Sequence, residues 1–225
     1  MKKSIKKIYH SLGNKIYDFC REIKLRKKRN KLHNKDVTII CSDCIGGVIY
    51  HELKLKFNSP TINLYICPSD FIKFCLNLDF YLNSELKKYN NKDNKIIGKL
   101  ADIKIHFIHY KTFDDAKTKW EERKKRIDKK NMCIILTCKD GYTENDIKNF
   151  KKIKTKSKVV FVPQKYLKYS DSFFIKKSEK NNEVAFLGTK INHFGKKLID
   201  DFDIVSFINN IGEKNGKSKC NSTSI

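Results

Sequence analysis

The chain has 225 residues, with 49 Lys or Arg against 25 Asp or Glu, a formal net charge of +24 and 40% hydrophobic residues. That composition argues against a disordered chain, and no run approaches the roughly 20 apolar residues that span a bilayer. The charge suits nucleic acid, an anionic lipid surface or a phosphorylated substrate, although Lys far in excess of Arg, with abundant Asn and Ile, is also what an AT-rich genome writes.

Residues 1–35 stand apart, with thirteen Lys or Arg against only Asp18 and Glu22, a charge of +11. Ile5, Ile8, Tyr9, Leu12, Ile16, Phe19 and Ile23 recur at three- and four-residue steps. This predicts a basic amphipathic N-terminal helix with one apolar stripe. Two readings of it stay open. It lies on an anionic membrane surface, or it docks on its own domain or frays as a tail. No apolar run follows the basic residues as in a secretory signal.

From Asp36 onward, short Ile- and Val-rich runs alternate with helical patterns. Strands are predicted at 37–41, 61–66, 103–109, 133–137 and 158–162. Helices are predicted at 46–54 and at 69–87, the second with Pro68 in its first turn. Another begins near Phe113, capped by Thr112, with Ala116, Trp120 and Ile127 on one side and a Glu–Arg–Lys face on the other. A further helix follows Gly141, where Thr143 and Asp146 have weak capping-box spacing. Residues 170–190 read as irregular or as short edge strands, and a last helix spans about 196–209. The alternation implies an α/β fold with a mostly parallel sheet covered on both faces. It divides the chain into a basic helical extension (1–35), one α/β domain (36–211) and a polar, disordered tail (212–225).

Eight cysteines invite a disulfide or zinc reading. Only Cys41 and Cys44 have CxxC spacing, with no second pair and no His-x-x-x-His, so free thiols in a reducing cytosol are expected, and neither a metal site nor a cofactor. GxGxxG and a P-loop are absent, which argues against NAD-dependent and P-loop nucleotide chemistry.

If the predicted strands run parallel, the residues after each of them meet at one edge of the sheet, where ligands of such sheets bind. Ser42, Asp43, Cys44 and the Gly46–Gly47 pair follow the first strand, and Cys67, Ser69 and Asp70 the second. His109 and Tyr110 end the third, and Lys139, Asp140 and Gly141 follow the fourth. Asp43, His109 and Asp140 are candidate acid–base groups. The Gly46–Gly47 loop and the helix start after it are candidates for holding a phosphate. Each has a plainer reading: an Asx-turn for Asp43, a turn dipeptide for Asp140-Gly141, a core position for His109. Cys44 near a helix N-terminus is a candidate nucleophile. Trp120 with Arg123 and Arg126 suits a sugar or phosphate, or equally a core Trp with a solvated Arg face.

The order SDCIGGVIYHELKLKFNSPTINLYI, DFIKFCLNLDFYL, HYKTFDDAKTKWEERKKRI and, after a strand, KDGYTENDIKNF resembles the DUF1919 family of bacterial proteins. Many of these bear the name exopolysaccharide biosynthesis protein. The resemblance covers about Asp36 to Asn209 and leaves the basic helix outside. It implies a three-layer α/β/α fold and a setting in capsule or lipopolysaccharide gene clusters. The family pattern falls on Cys44, Gly46, Gly47, Tyr50, Ser59, Pro60, Thr61, His109, Tyr110, Trp120, Arg123, Arg126 and Asp140. Such proteins often carry Asn just before Asp43, where this chain has Ser42.

The expected function is that of a cytoplasmic enzyme of surface-polysaccharide assembly, a sugar or nucleotide-sugar transferase held peripherally at the inner face of the cell membrane by its basic helix. Asp43, His109 and Asp140 are its expected catalytic residues. Ser42, Cys44, Gly46, Gly47, Tyr110, Trp120, Arg123 and Lys139 are expected to bind substrate. The alternative is a non-catalytic, membrane-docked scaffold. Nucleic acid is not an expected partner, since no recognised module for it is present.

Overall fold

The computed structural model describes residues 2–155, 157–164, 169–176 and 182–216, with side chains described from Gly13 to Ile211. In chain order its elements are α1 (Lys2–Lys31), β1 (Thr38–Cys41), α2 (Ile45–Glu52), α3 (Pro68–Leu76), α4 (Leu78–Asn83), β2 (Leu86–Tyr89), β3 (Ile97–Leu100) and β4 (Ile103–His106). There follow α5 (Phe113–Lys124), β5 (Met132–Thr137), α6 (Glu144–Phe150), β6 (Ser157–Val162), β7 (Ser172–Phe174) and α7 (Ile204–Gly216).

The fold is α/β. Strands β1, β5, β6 and β7 form a parallel sheet in that order. Every residue of β1 and β5 is buried, as strands covered on both faces must be. Helices α3 and α6 pack on each other and α3 on β5, while α7 packs on β5 and β6, which gives the helix–sheet–helix layering. Thr112 and Thr143 cap α5 and α6 by accepting from the Asp115 and Asp146 N–H groups, and Asp146 completes a capping box.

Four predicted elements come out differently. Residues 61–66 form no ladder, and only Tyr65 bridges, antiparallel to His106. Residues 103–106 belong instead to a separate antiparallel sheet, β2-β3-β4. The predicted helix over 69–87 breaks at Asn77 and ends before β2. Pairing decides this, since Leu86 lies opposite Leu100 and both are fully buried, a contact hidden by the flanking lysines. The predicted last helix becomes a 3-10 turn over Leu198–Asp201 and then α7. Asp203 separates them, accepting from the Ser206 N–H and hydroxyl in an N-cap arrangement. Backbone helix continues to Gly216, past the expected start of the tail, and 217–225 lie outside the described residues.

Among the described residues, strand β1 has no strand neighbour on its outer edge, and side chains take over its hydrogen bonds. The Tyr50 hydroxyl accepts from the Ile39 N–H (2.8 Å) and donates to the Val37 carbonyl (3.0 Å). The Thr61 hydroxyl accepts from the Cys41 N–H (3.0 Å). A Cβ on Gly46 would stand 2.7 Å from Cys41 Cβ, so glycine there lets α2 lie directly on β1. Residues of the family pattern thus close one sheet edge. Tyr50→Phe leaves the Ile39 N–H and Val37 carbonyl buried without partners and is expected to cost about 2–3 kcal/mol in chemical denaturation.

Helix α1 is docked on the domain along its described side chains. Tyr17, Arg21 and Leu25 are buried, one turn apart. The apolar stripe expected to define its face does otherwise, because Ile16, Phe19 and Ile23 are exposed. Side chains of Ile5, Ile8, Tyr9 and Leu12 lie outside the described residues. Arg21 anchors the docking. Its guanidinium donates to both Glu52 oxygens (2.6 and 3.1 Å), to Asp200 (2.5 Å) and to the Gly195 carbonyl (3.1 Å). Lys197 adds a contact to Glu52, and Lys28 one to Asp200. Gly195 has φ +73, and a Cβ there would land on the Arg21 backbone.

Candidate functional site

Only two of the four expected strand ends belong to the parallel sheet, so the edge is built from β1 and β5. The polypeptide leaves β1 through Ser42, whose hydroxyl accepts from the Thr137 N–H (3.0 Å) and whose carbonyl accepts from the Ile66 N–H (2.9 Å). Ser42 therefore ties the irregular 61–66 segment to the sheet rather than facing a ligand.

Asp43 comes next and is buried, at 6% exposure. Its Oδ1 accepts from the Ile45 N–H (3.0 Å) and from Cys41 Sγ (3.5 Å). Its Oδ2 is buried with no well-formed hydrogen bond, and so is the nearby Thr137 hydroxyl. Burial raises the Asp43 pKa, against the opposing pull of the Ile45 N–H, Cys41, Lys139 and Thr137. Asp43 thus occupies the start of α2 with its own carboxylate. Gly46 and Gly47 lie within α2 rather than in a loop before it. The expected phosphate cradle is therefore closed, and Gly46 serves packing instead.

Cys44 and Lys139 lie beside Asp43 within range of its charge. Burial, then Asp43, push the Cys44 thiol up to about 12, so it is protonated at neutral pH and unsuited to nucleophilic attack. Asp140 is exposed on a left-handed backbone (φ 57) and acts electrostatically on Tyr65 and Cys67. Tyr65 stacks on His106 with ring centroids 4.3 Å apart.

A groove of about 1110 Å³ runs between α1 and α2. Cys44, Gly47, Asn63 and His109 are among its lining residues, and so are Arg29, Lys54, Lys190, Phe57 and Phe186. His109 is exposed there. Asp43, Lys139 and Asp140 are not among the lining residues, and Cys44 joins Asp43 and Lys139 to the groove. Tyr110 and Arg123 act behind this wall. Tyr110 donates to the Ile62 carbonyl (3.1 Å) and accepts from Arg123 (2.7 Å), whose guanidinium lies 5.3 Å from the Phe57 ring centre. They position the 57–63 segment. Trp120 is 1% exposed among Phe74 and Phe107, so it is a core residue with no face for a sugar.

Sequence reasoning missed Thr137, whose signal was a polar residue closing an otherwise apolar strand. It also missed the α1 wall of the groove, which no local pattern announces.

The family model described as Domain of unknown function (DUF1919) matches residues 15–209. The chain belongs to the DUF1919 family. The match to DUF1919 begins inside α1 and so includes the docked half of that helix, which the resemblance had left outside. An uncharacterised protein of Haemophilus influenzae is 39% identical over 184 residues, covering 82% of this DUF1919 chain and 89% of that protein. Among the described residues of this DUF1919 protein, no helix is long and apolar enough to cross a membrane.

Proposed function

We propose that this protein is a cytoplasmic sugar or nucleotide-sugar transferase of exopolysaccharide, capsule or lipopolysaccharide assembly. The observation that carries the reading is the Asp43 carboxylate. It is buried, has an oxygen with no well-formed hydrogen bond and sits at the carboxyl end of two parallel strands. A carboxylate with a raised pKa is a stronger base toward a hydroxyl than a solvated one. In the reaction proposed, the acceptor hydroxyl reaches in from the groove past Cys44, and Asp43 takes its proton as that oxygen attacks the sugar's anomeric carbon. The bond to the nucleoside diphosphate breaks and the diphosphate leaves with its electron pair. Arg29, Lys54 and Lys190 in the groove offset phosphate charge, and Phe57 and Phe186 offer apolar surface for a base or sugar ring. His109, one of the two exposed imidazoles of the groove beside His51, serves proton transfer there.

A non-catalytic scaffold is favoured by one fact: Asp43 Oδ1 already caps the Ile45 N–H, a structural role. The two readings separate in one assay. Purified protein is given a panel of nucleotide sugars with saccharide acceptors, and nucleoside diphosphate release is measured. The transferase reading expects release with one donor class, and Cys44→Ser is expected to retain at least about half of it because the thiol is protonated. A scaffold releases nothing.

A further inference from the structure

Five of the nine exposed large apolar side chains among the described residues gather at α1. Ile16, Phe19 and Ile23 are on the helix, 44%, 69% and 44% exposed. Ile191 and Phe194 sit on the loop that packs against it, Phe194 at 67% exposure. That loop is held close by His193 near Gly13 and by Gly195 on the Cys20–Arg21 backbone.

At about 100° per residue, Ile16, Phe19 and Ile23 fall within a sector of about 60°. The sector lies roughly 160° around the helix from the docked face of Tyr17, Arg21 and Leu25. Docking on the domain thus consumes one face and leaves the apolar stripe pointing away. The sequence repeats the stripe at Ile5, Ile8 and Leu12, and exposed Lys15, Arg26 and Lys27 flank its described part.

Three kinds of occupant compete for such a face. A second copy would bring one segment of charge +11 against another. A nucleic acid would use the cations and leave Phe19, Ile23 and Phe194 without a role. An anionic bilayer uses both, its acyl region taking the apolar side chains and its headgroups the basic ones. We propose that the outward face of α1, flanked by Phe194, docks on an anionic phospholipid surface with the helix lying in the membrane plane. Because the inward face of α1 walls the groove, docking holds that groove within about one helix diameter of the lipid, roughly 10 Å. The inference rests on α1 and does not depend on the chemistry at Asp43.

The test is flotation of the full chain with vesicles of phosphatidylcholine, with and without phosphatidylglycerol. The chain is expected to float with the anionic vesicles at low salt, not with phosphatidylcholine alone, and progressively less as salt rises. The double variant Phe19→Glu/Ile23→Glu, at exposed positions, is expected to keep its thermal melt and lower the floating fraction at least about tenfold. Lys15→Glu/Lys27→Glu is expected to weaken flotation at low salt. Asp43→Asn is expected to float like the parent, which separates this inference from the proposed reaction. Failure of the parent to float, or unchanged flotation of the Phe19/Ile23 variant, overturns the proposal. So does a dimer in sedimentation velocity that the same variant dissociates, which would assign the face to a second copy.

Discussion

Asp43→Asn is expected to abolish sugar transfer and yet leave the folded chain at least as stable as the parent at pH 7. Both effects come from one feature. The carboxylate is buried, its Oδ2 has no well-formed hydrogen bond, and its pKa is raised chiefly by burial. A carboxyl whose pKa is higher in the folded than in the unfolded chain favours folding while protonated. That stability is lost as pH rises from the ordinary Asp range through the raised value. Once ionised, the group is therefore a burden that the amide removes. The Asn side-chain oxygen can still accept the Ile45 N–H. Stabilising substitutions commonly gain about 0.5–2 kcal/mol, with lost function as the recurrent cost. Chemical denaturation of parent and variant at pH 4 and pH 7 checks this, with the variant's advantage present at pH 7 and shrinking at pH 4. Diphosphate release, rising with pH through a pKa above the usual Asp value in the parent and lost in the variant, checks the chemistry. A variant that still turns over, or that is markedly less stable at pH 7, removes Asp43 as the base.

Arg21→Ala is expected to have the largest effect on stability. The guanidinium is 5% exposed and donates to Glu52, Asp200 and the Gly195 carbonyl at once. Removing one partner of a buried ion pair leaves the others uncompensated and typically costs about 3–5 kcal/mol. For a chain of this size that lowers Tm by roughly 6–20 °C at about 2–4 °C per kcal/mol. Lys197 and Lys28 remain on Glu52 and Asp200, which places the result toward the lower end. Glu22→Ala breaks a pair whose carboxylate side chain is 58% exposed, and is expected to change stability by less than about 1 kcal/mol. The network also sets an acid limit. Burial works to raise the pKa values of Glu52 and Asp200. Contacts from Arg21 and Lys197 on Glu52, and from Lys28, the Lys197 N–H and Arg21 on Asp200, outweigh it and hold both low. Groups depressed on folding stabilise above their unfolded pKa, so this contribution fades as pH falls below about 4. Limited proteolysis within α1, slow at pH 7 and accelerated at low pH or in Arg21→Ala, reads the undocking directly. Equal cleavage of parent and variant would show that Arg21 does not hold the helix.

The parts of the molecule that answer to local rules were legible. Strands β1, β5 and β6 announce themselves as short apolar runs, because a strand covered on both faces has no polar side to present. Thr112 and Thr143 mark helix starts because their hydroxyls satisfy N–H groups three residues on. The meeting of Asp43 with Lys139 follows from two parallel strands being neighbours, and that too could be argued in advance. The Gly46–Gly47 pair misled, because a glycine allowing close packing on Cys41 and a glycine opening a phosphate loop look alike in one dimension.

Composition and periodicity determined the α/β class, the buried parallel strands and the existence of a long basic helix, because each depends on side chains a few residues apart. Which face of that helix docks, which segment fails to become a strand and what lines the groove were decided only in three dimensions. Arg21 is buried because its partners stand 31 and 179 residues away, and Thr61 replaces a strand because β1 is at an edge. Charges and hydrogen-bonding groups are satisfied by whatever the folded chain brings next to them, and separation along the chain says nothing of that.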